Sequence, residues 1–141
     1  GISYASPIAL APVSAQRAFH HDAERPVARA ARTQGALMMV STLANVSVET
    51  LASDAGAGWW FQLYPTSDLA VARKLVERAD RAGAGAVALT IDLLAGGMRR
   101  ETQARLARMD GGDCASCHDR EGGFADFLRR RPMFEGVDKS R

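Results

Sequence analysis

Four short apolar runs, separated by segments of helical composition, constrain the fold of this chain more than any other feature. The runs are residues 7–12, 37–41, 59–64 and 86–91. Short apolar strands that alternate with helices are typical of βαβ units, in which the strands run parallel. Strands that are apolar throughout also fit a sheet covered on both faces. The sequence therefore predicts an α/β fold built on four parallel strands.

Capping residues mark the helices between these runs. Gly35 follows an Ala- and Arg-rich segment as a stop signal, and Ser47 precedes a short helical segment as a cap. The clearest helix ends at Gly83, and its cap candidates are Thr66, Ser67 and Asp68. Helical spacing predicts that its buried stripe consists of Leu69, Ala72, Leu75, Val76, Ala79 and Ala82.

Size and charge exclude several classes of protein. The chain has 141 residues, whereas a full eight-stranded α/β barrel typically takes about 250. The net charge of 18 − 16 = +2 argues against nucleic acid as the main partner. No apolar run approaches the roughly 20 residues that a membrane span needs. Because only two cysteines occur, we expect a reducing, cytoplasmic location.

Polar residues close three of the predicted strands. They are Ser41 and Thr42, Gln62 and Tyr64, and Thr90 and Asp92. Side chains alternate along a strand, so the last two pairs, each spaced two residues apart, share a face within their own strand. A ligand site at the carboxyl ends of parallel strands would explain this pattern. Ordinary strand-to-loop transitions are the alternative explanation.

Four ordered segments resemble one enzyme family. PIALAPVSAQRAFHHDAE, VSTLANVSVETLA, WWFQLY and ALTIDLLAGGMRRE resemble the first four strands and following loops of the FMN-dependent α-hydroxy acid oxidases and dehydrogenases. That family includes glycolate oxidase, lactate oxidase, mandelate dehydrogenase and flavocytochrome b2. The resemblance implies a TIM-type (β/α)8 barrel, of which residues 1–95 would form about the first four βα units. Residues 96–141 would form a long loop or insertion after strand four.

The resemblance also implies FMN as cofactor and a role for each matching residue. Tyr64 would hydrogen-bond the substrate, Asp92 would lie near the catalytic base, and Arg99 would bind the substrate carboxylate. A planar guanidinium suits a carboxylate, although a one-residue slip would exchange Arg99 with Arg100. The flavin contacts would come from Val13, Ser14, Ala15, Ser41, Gln62 and Thr90.

The implied activity is oxidation of a small 2-hydroxy acid to a 2-oxo acid by hydride transfer to flavin. The family's catalytic histidine belongs to a later strand, and His20, His21 and His118 do not match its context. We therefore expect this chain to be inactive alone and to need a C-terminal half-barrel, in the same or a separate chain. The complete protein is expected to be a homo-oligomer. A non-catalytic half-barrel that binds a ligand or partner is the alternative.

A second motif points to different chemistry. Cys114, Cys117 and His118 have the CxxCH spacing of covalent c-type haem attachment. The same residues could serve a zinc or redox-active thiol site, which makes a small metal or redox protein a third interpretation. We favour an exposed loop without metal, because the family carries a variable loop at this position.

Overall fold

The described chain alternates strands with helices. The computed structural model describes residues 2–64, 66, 68–92 and 132–136. The strands are β1 (Ala9–Leu10), β2 (Leu37–Ser41), β3 (Trp60–Leu63) and β4 (Ala86–Leu89). The α-helices are α1 (Arg25–Gln34), α2 (Val48–Ala55) and α3 (Leu69–Arg81), with short 3₁₀ helices at Gln16–Ala18 and Pro132–Phe134.

The four strands form one sheet in the order β1-β2-β3-β4. All three neighbouring pairs are parallel, so the predicted parallel α/β sheet is confirmed. In the register, Ser41 lies opposite Gln62 and Gln62 lies opposite Ala88. Consecutive parallel strands that neighbour one another, each linked by a helix, are the arrangement of successive βα units in a barrel wall.

The helix boundaries follow the predicted caps. The Ser47 hydroxyl accepts a hydrogen bond from the Thr50 amide, and the Asp68 carboxylate accepts one from the Ala70 amide. Gly35 ends α1 in the left-handed conformation, at φ 60°, which costs glycine little. Among the described residues, no helix combines the length and apolar character needed to cross a membrane.

The hydrophobic core lies between the sheet and the helices. It joins Met38, Val40, Phe61 and Leu63 of the strands to Ala28, Ala31, Leu51, Leu75 and Ala79 of the helices. Leu69 is not part of it: its exposed fraction is 80%, so its predicted place in the buried stripe is wrong. The buried row of α3 begins at Val71. Leu69 precedes Val71 by two residues, which places it about 200° around the helix axis.

The two outer strands leave large apolar side chains uncovered by the described residues. Beside β1, Ile8 is 72% exposed and Phe19 is 84% exposed. At the other side of the sheet, Leu89 of β4 and the nearby Ile91 are also exposed. Uncovered apolar groups at both outer strands are what a segment of a larger closed sheet would show.

Arg78 anchors residues 132–136 to helices α2 and α3. Its Nη1 donates to the backbone carbonyl oxygens of Pro132, Met133 and Glu135, at 3.0, 2.7 and 3.2 Å respectively. Its Nε and Nη2 donate to the carboxylate of Glu49. Met133 is buried and joins the core, a contribution that the sequence alone did not predict.

Candidate functional site

Three polar side chains form a row across the carboxyl ends of β2, β3 and β4. The Gln62 carboxamide is at its centre, and only 3% of this residue is exposed. Its Oε1 accepts a hydrogen bond from Ser41 Oγ at 3.3 Å, and its Nε2 donates one to Thr90 Oγ1 at 2.8 Å. The register and the alternation of side chains put the row on the sheet face opposite Val40 and Phe61. The structure thus brings together three of the predicted flavin-binding residues.

The row still offers hydrogen-bond donors to a further group. A carboxamide nitrogen carries two hydrogens and a hydroxyl carries one. Within the described residues, Gln62 uses one Nε2 hydrogen on Thr90, whose hydroxyl oxygen acts as the acceptor. No other described residue accepts from the second Nε2 hydrogen or from the Thr90 hydroxyl, and both hydrogens can be donated to acceptors of a further group. The Gln62 Oε1 is already occupied, since it accepts from Ser41 Oγ and from the Thr42 amide.

The loop after β1 approaches the loop after β2 through its backbone. Ala15 has a left-handed φ of 55°, and its amide donates to the carbonyl oxygen of Leu43 at 3.3 Å. The Arg17 amide donates to Asn45 Oδ1 at 3.0 Å. Ala15 therefore lies near the turn that follows Ser41. Val13 and Ser14 are exposed, and no described contact joins their side chains to the polar row.

The predicted substrate-binding residues differ in how far the structure describes them. Tyr64 follows β3 directly, is half-buried, and donates through its amide to Thr42 Oγ1 at 3.1 Å. Asp92 is exposed at the end of a described range, two residues after Thr90. Arg99 lies outside the described residues, as do Cys114, Cys117 and His118.

Thr42 is a polar residue of this region that was not predicted as a site residue. It is 1% exposed, and its hydroxyl donates to the Gln62 carbonyl oxygen. Its amide donates to the same carbonyl oxygen at 3.0 Å and to Gln62 Oε1 at 3.3 Å. The sequence did indicate that the predicted strand ends in two polar residues, Ser41 and Thr42. That pattern could have identified Thr42. A serine or threonine at such a position usually satisfies nearby backbone groups.

Glu24 is a second buried polar residue that the sequence did not single out. It is 1% exposed, and its Oε1 accepts a hydrogen bond from the Asn45 amide at 3.0 Å. Since Asn45 Oδ1 in turn accepts from the Arg17 amide, Glu24 stabilises the contact between the first two strand-to-helix loops. Its other carboxylate oxygen has no partner among the described residues.

A histidine pair lies on the surface before α1. His20, His21 and Asp22 place potential metal-ligand atoms within 4.8 Å of one another. The rings of His20 and His21 stack at 4.4 Å, and His20 Nδ1 accepts from the Asp22 amide at 3.2 Å. These contacts are those of a local turn on the surface, formed by neighbouring residues of the chain.

Known proteins of one enzyme family are similar to this chain in sequence. A model of the FMN-dependent dehydrogenase family matches residues 1–125. L-lactate oxidase of Alicycliphilus denitrificans is 40% identical over 92 residues, and glycolate oxidase 1 of Zea mays is 44% identical over 92 residues. Each alignment covers 65% of this chain and 25% of the relative. The chain therefore spans about a quarter of the length of these relatives.

Solved structures agree with this similarity. A crystal structure of mandelate oxidase with (S)-4-hydroxymandelic acid is similar to the chain with a TM-score of 0.61 and 44% sequence identity. It covers 64% of this chain, and the chain covers 25% of it. A structure of a mandelate oxidase variant with (S)-mandelic acid covers 75% of this chain, with a TM-score of 0.67 and 40% identity. The resemblance identified from the sequence motifs is thus confirmed.

Proposed function

Since this chain belongs to the FMN-dependent dehydrogenase family, we propose that it forms the first four βα units of a barrel enzyme that oxidises a small 2-hydroxy acid to a 2-oxo acid. The observation that supports this most is the polar row of Ser41, Gln62 and Thr90 at the carboxyl ends of the strands. Barrel enzymes place their active sites at that end of the sheet.

The donor set of the row fits a flavin. The pyrimidine edge of an isoalloxazine ring carries carbonyl acceptors, and the free hydrogens of Gln62 and Thr90 match acceptors of that kind. Gln62 is buried and held from two sides, so its carboxamide is fixed in position before a ligand binds. Bound FMN would supply the hydride acceptor. Ser41 would keep the carboxamide oriented, and the backbone near Ala15 would border the ring.

Three further residues would handle the substrate. We assign to Tyr64 a hydrogen bond from its hydroxyl to the substrate, and to Arg99 a bidentate contact with the substrate carboxylate. Asp92 would support the catalytic base, which in this family is a histidine of a later strand. Val13 and Ser14 complete the proposed flavin contacts at the first loop.

The exposed apolar side chains at the outer strands support the proposal that a C-terminal half-barrel completes the fold. Ile8 and Phe19 beside β1, and Leu89 at β4, would be buried by neighbouring barrel strands and helices. A free-standing half-barrel would leave these groups in water, which disfavours the non-catalytic alternative. The completed protein is proposed to assemble as a homo-oligomer.

Anaerobic reduction of the flavin tests the proposed function. The complete polypeptide that carries this chain would be loaded with FMN and mixed with lactate, glycolate or mandelate. We expect the absorption of the oxidised flavin to bleach with these acids. The matched control is 3-hydroxypropionate, which lacks a hydroxyl on the carbon next to the carboxylate and should leave the flavin oxidised. Absence of bleaching with every 2-hydroxy acid, despite bound FMN, would contradict the proposal.

A further inference from the structure

We propose that Thr42 is a positioning residue: it fixes the position of the Tyr64 backbone relative to the polar row of Ser41, Gln62 and Thr90. The Tyr64 hydroxyl, to which we assign substrate binding, is positioned with that backbone. This inference rests on the proposed function, because it concerns the roles assigned there to Gln62 and Tyr64. It arises from the hydrogen bonds at the end of β2, where the chain turns away from β3.

Because β2 ends before β3 does, the Tyr64 amide has no carbonyl partner in the β2–β3 ladder. The parallel ladder pairs Ser41 with Gln62, but β2 ends there and the backbone turns at Thr42. Tyr64 therefore lies two residues beyond Gln62, the last residue of β3 that pairs with β2. A half-buried backbone amide needs an acceptor, and a missing one is costly.

The Thr42 side chain supplies the acceptor for the Tyr64 amide. Its Oγ1 accepts from the Tyr64 amide at 3.1 Å while donating to the Gln62 carbonyl oxygen. The hydroxyl therefore takes the place of a strand carbonyl and extends the pairing of β2 with β3 by one step. Because Thr42 is 1% exposed, water cannot readily replace it in this role.

The same residue also holds Gln62. The Thr42 amide donates to the Gln62 carbonyl oxygen at 3.0 Å and to its side-chain Oε1 at 3.3 Å. One residue thus contacts the backbone of Gln62, its carboxamide and the backbone of Tyr64. Gln62 of β3 is assigned to the flavin, and Tyr64, the residue that follows β3, is assigned to the substrate. Thr42 fixes these two positions relative to each other.

The first experiment measures hydrogen–deuterium exchange at the Tyr64 amide in the complete, FMN-loaded polypeptide. Thr42→Val keeps the branched shape and removes the hydroxyl, so this amide should exchange about tenfold faster. Thr42→Ser keeps the hydroxyl and should exchange like the parent protein. The Thr90 amide, bonded to the Leu63 carbonyl oxygen, is the internal reference. Thr33→Val is the matched control, since Thr33 also donates to a backbone carbonyl, on the exposed face of α1.

The second experiment is a double-mutant cycle with Tyr64→Phe, in which KM is measured for a 2-hydroxy acid. If Thr42 acts through Tyr64, Thr42→Val should raise KM on its own but add little to the effect of Tyr64→Phe. Thr42→Ser should restore the parent KM. Independent, additive effects on KM would overturn the proposal.

The two experiments separate failure of this inference from failure of the proposed function. If Tyr64→Phe leaves KM unchanged, the assigned substrate role is wrong, and exchange at Tyr64 still decides whether Thr42 holds that backbone. If Tyr64→Phe raises KM but Thr42→Val changes neither KM nor exchange, the inference alone is wrong. Should Thr42→Val fail to fold, Thr42→Ser decides, because fast exchange at Tyr64 in that variant would overturn the role of the hydroxyl.

Discussion

The Gln62 carboxamide donates a 2.8 Å hydrogen bond to the Thr90 hydroxyl, which connects β3 to the residue just beyond β4. The same carboxamide accepts from the Ser41 hydroxyl of β2. One buried side chain therefore joins the ends of three parallel strands. Such an arrangement holds the carboxamide in one orientation, so the ligand binding that we propose for this row would cost little conformational freedom.

Replacement of Gln62 by leucine should weaken FMN binding. The change removes the carboxamide donors and leaves a polar group of the ring unpaired, at a cost of about 1–3 kcal/mol. Titration of the completed apoprotein, followed by quenching of flavin fluorescence, measures the effect. Gln34→Leu is the matched control, because Gln34 is exposed at the end of α1. Equal FMN affinity in the two variants would contradict the flavin-binding role of Gln62.

Leu51→Ala and Leu69→Ala should differ sharply in stability. Leu51 is 0% exposed in the core, whereas Leu69 is 80% exposed. The same truncation should lower the free energy of unfolding by about 3 kcal/mol at position 51 and by less than about 0.5 kcal/mol at position 69. Urea denaturation provides the comparison. Similar losses in both variants would show that the described packing of α2 and α3 is wrong.

The ion pair of Glu49 with Arg78 predicts a stability change in acid. Partial burial raises the pKa of Glu49, but hydrogen bonds from Arg78 and the backbone outweigh this effect and hold the pKa below its ordinary value of 4.5. The unfolded chain therefore takes up the proton at a higher pH than the folded chain. The stabilisation is complete above pH 4.5 and is lost as the pH falls through the lower folded-state pKa.

Glu49→Gln should remove this part of the pH dependence. Because about half of the Glu49 side chain is exposed, the effect should stay below about 1 kcal/mol. Urea denaturation between neutral and acidic pH measures it, with Glu77→Gln on the exposed side of α3 as the matched control. If Glu49→Gln loses as much stability as the parent protein over the acidic range, this ion pair is not its source.

Arg99→Lys tests the carboxylate assignment that the resemblance implies. A lysine keeps the charge but loses the two parallel hydrogen bonds of a guanidinium. We expect KM for a 2-hydroxy acid to rise about tenfold in the completed enzyme. Arg100→Lys is the natural comparison, since a shift of one residue in the match would exchange the two roles. A larger effect at position 100 would reassign the carboxylate site to Arg100.

The sequence predicted those features that depend on local chemistry. Ser47 and Asp68 cap helices as expected, because their short side chains reach the free amides of the first turn. Each of the four apolar runs contains a strand, although the run at residues 7–12 forms only Ala9–Leu10. Continuous apolar strands predicted a sheet covered on both faces, whereas the described residues leave Leu10, Val87 and Leu89 of the outer strands exposed. The row of Ser41, Gln62 and Thr90 was predicted as a set of flavin contacts, and the structure shows its members in contact with one another.

The features that were missed depend on tertiary packing. The sequence does not reveal that Thr42 faces a strand which extends further than its own, so its role needs the register of β2 with β3. The burial of Glu24 likewise depends on the neighbouring loop, whose Asn45 amide it binds. Leu69 fits a helical stripe by spacing, but the sheet contacts the face of α3 that carries Val71.

Turnover with and without the C-terminal half tests the central claim most directly. General-base catalysis needs a group within hydrogen-bond reach of the substrate hydroxyl proton, and the family's base belongs to a later strand. Guanidinium groups such as that of Arg99 stay protonated and cannot serve. With added FMN and a dye acceptor, we expect no 2-hydroxy acid oxidation by the 141-residue chain and clear turnover once strands five to eight are joined or added. Robust turnover by the chain alone, or none by the completed protein, would contradict the proposed function.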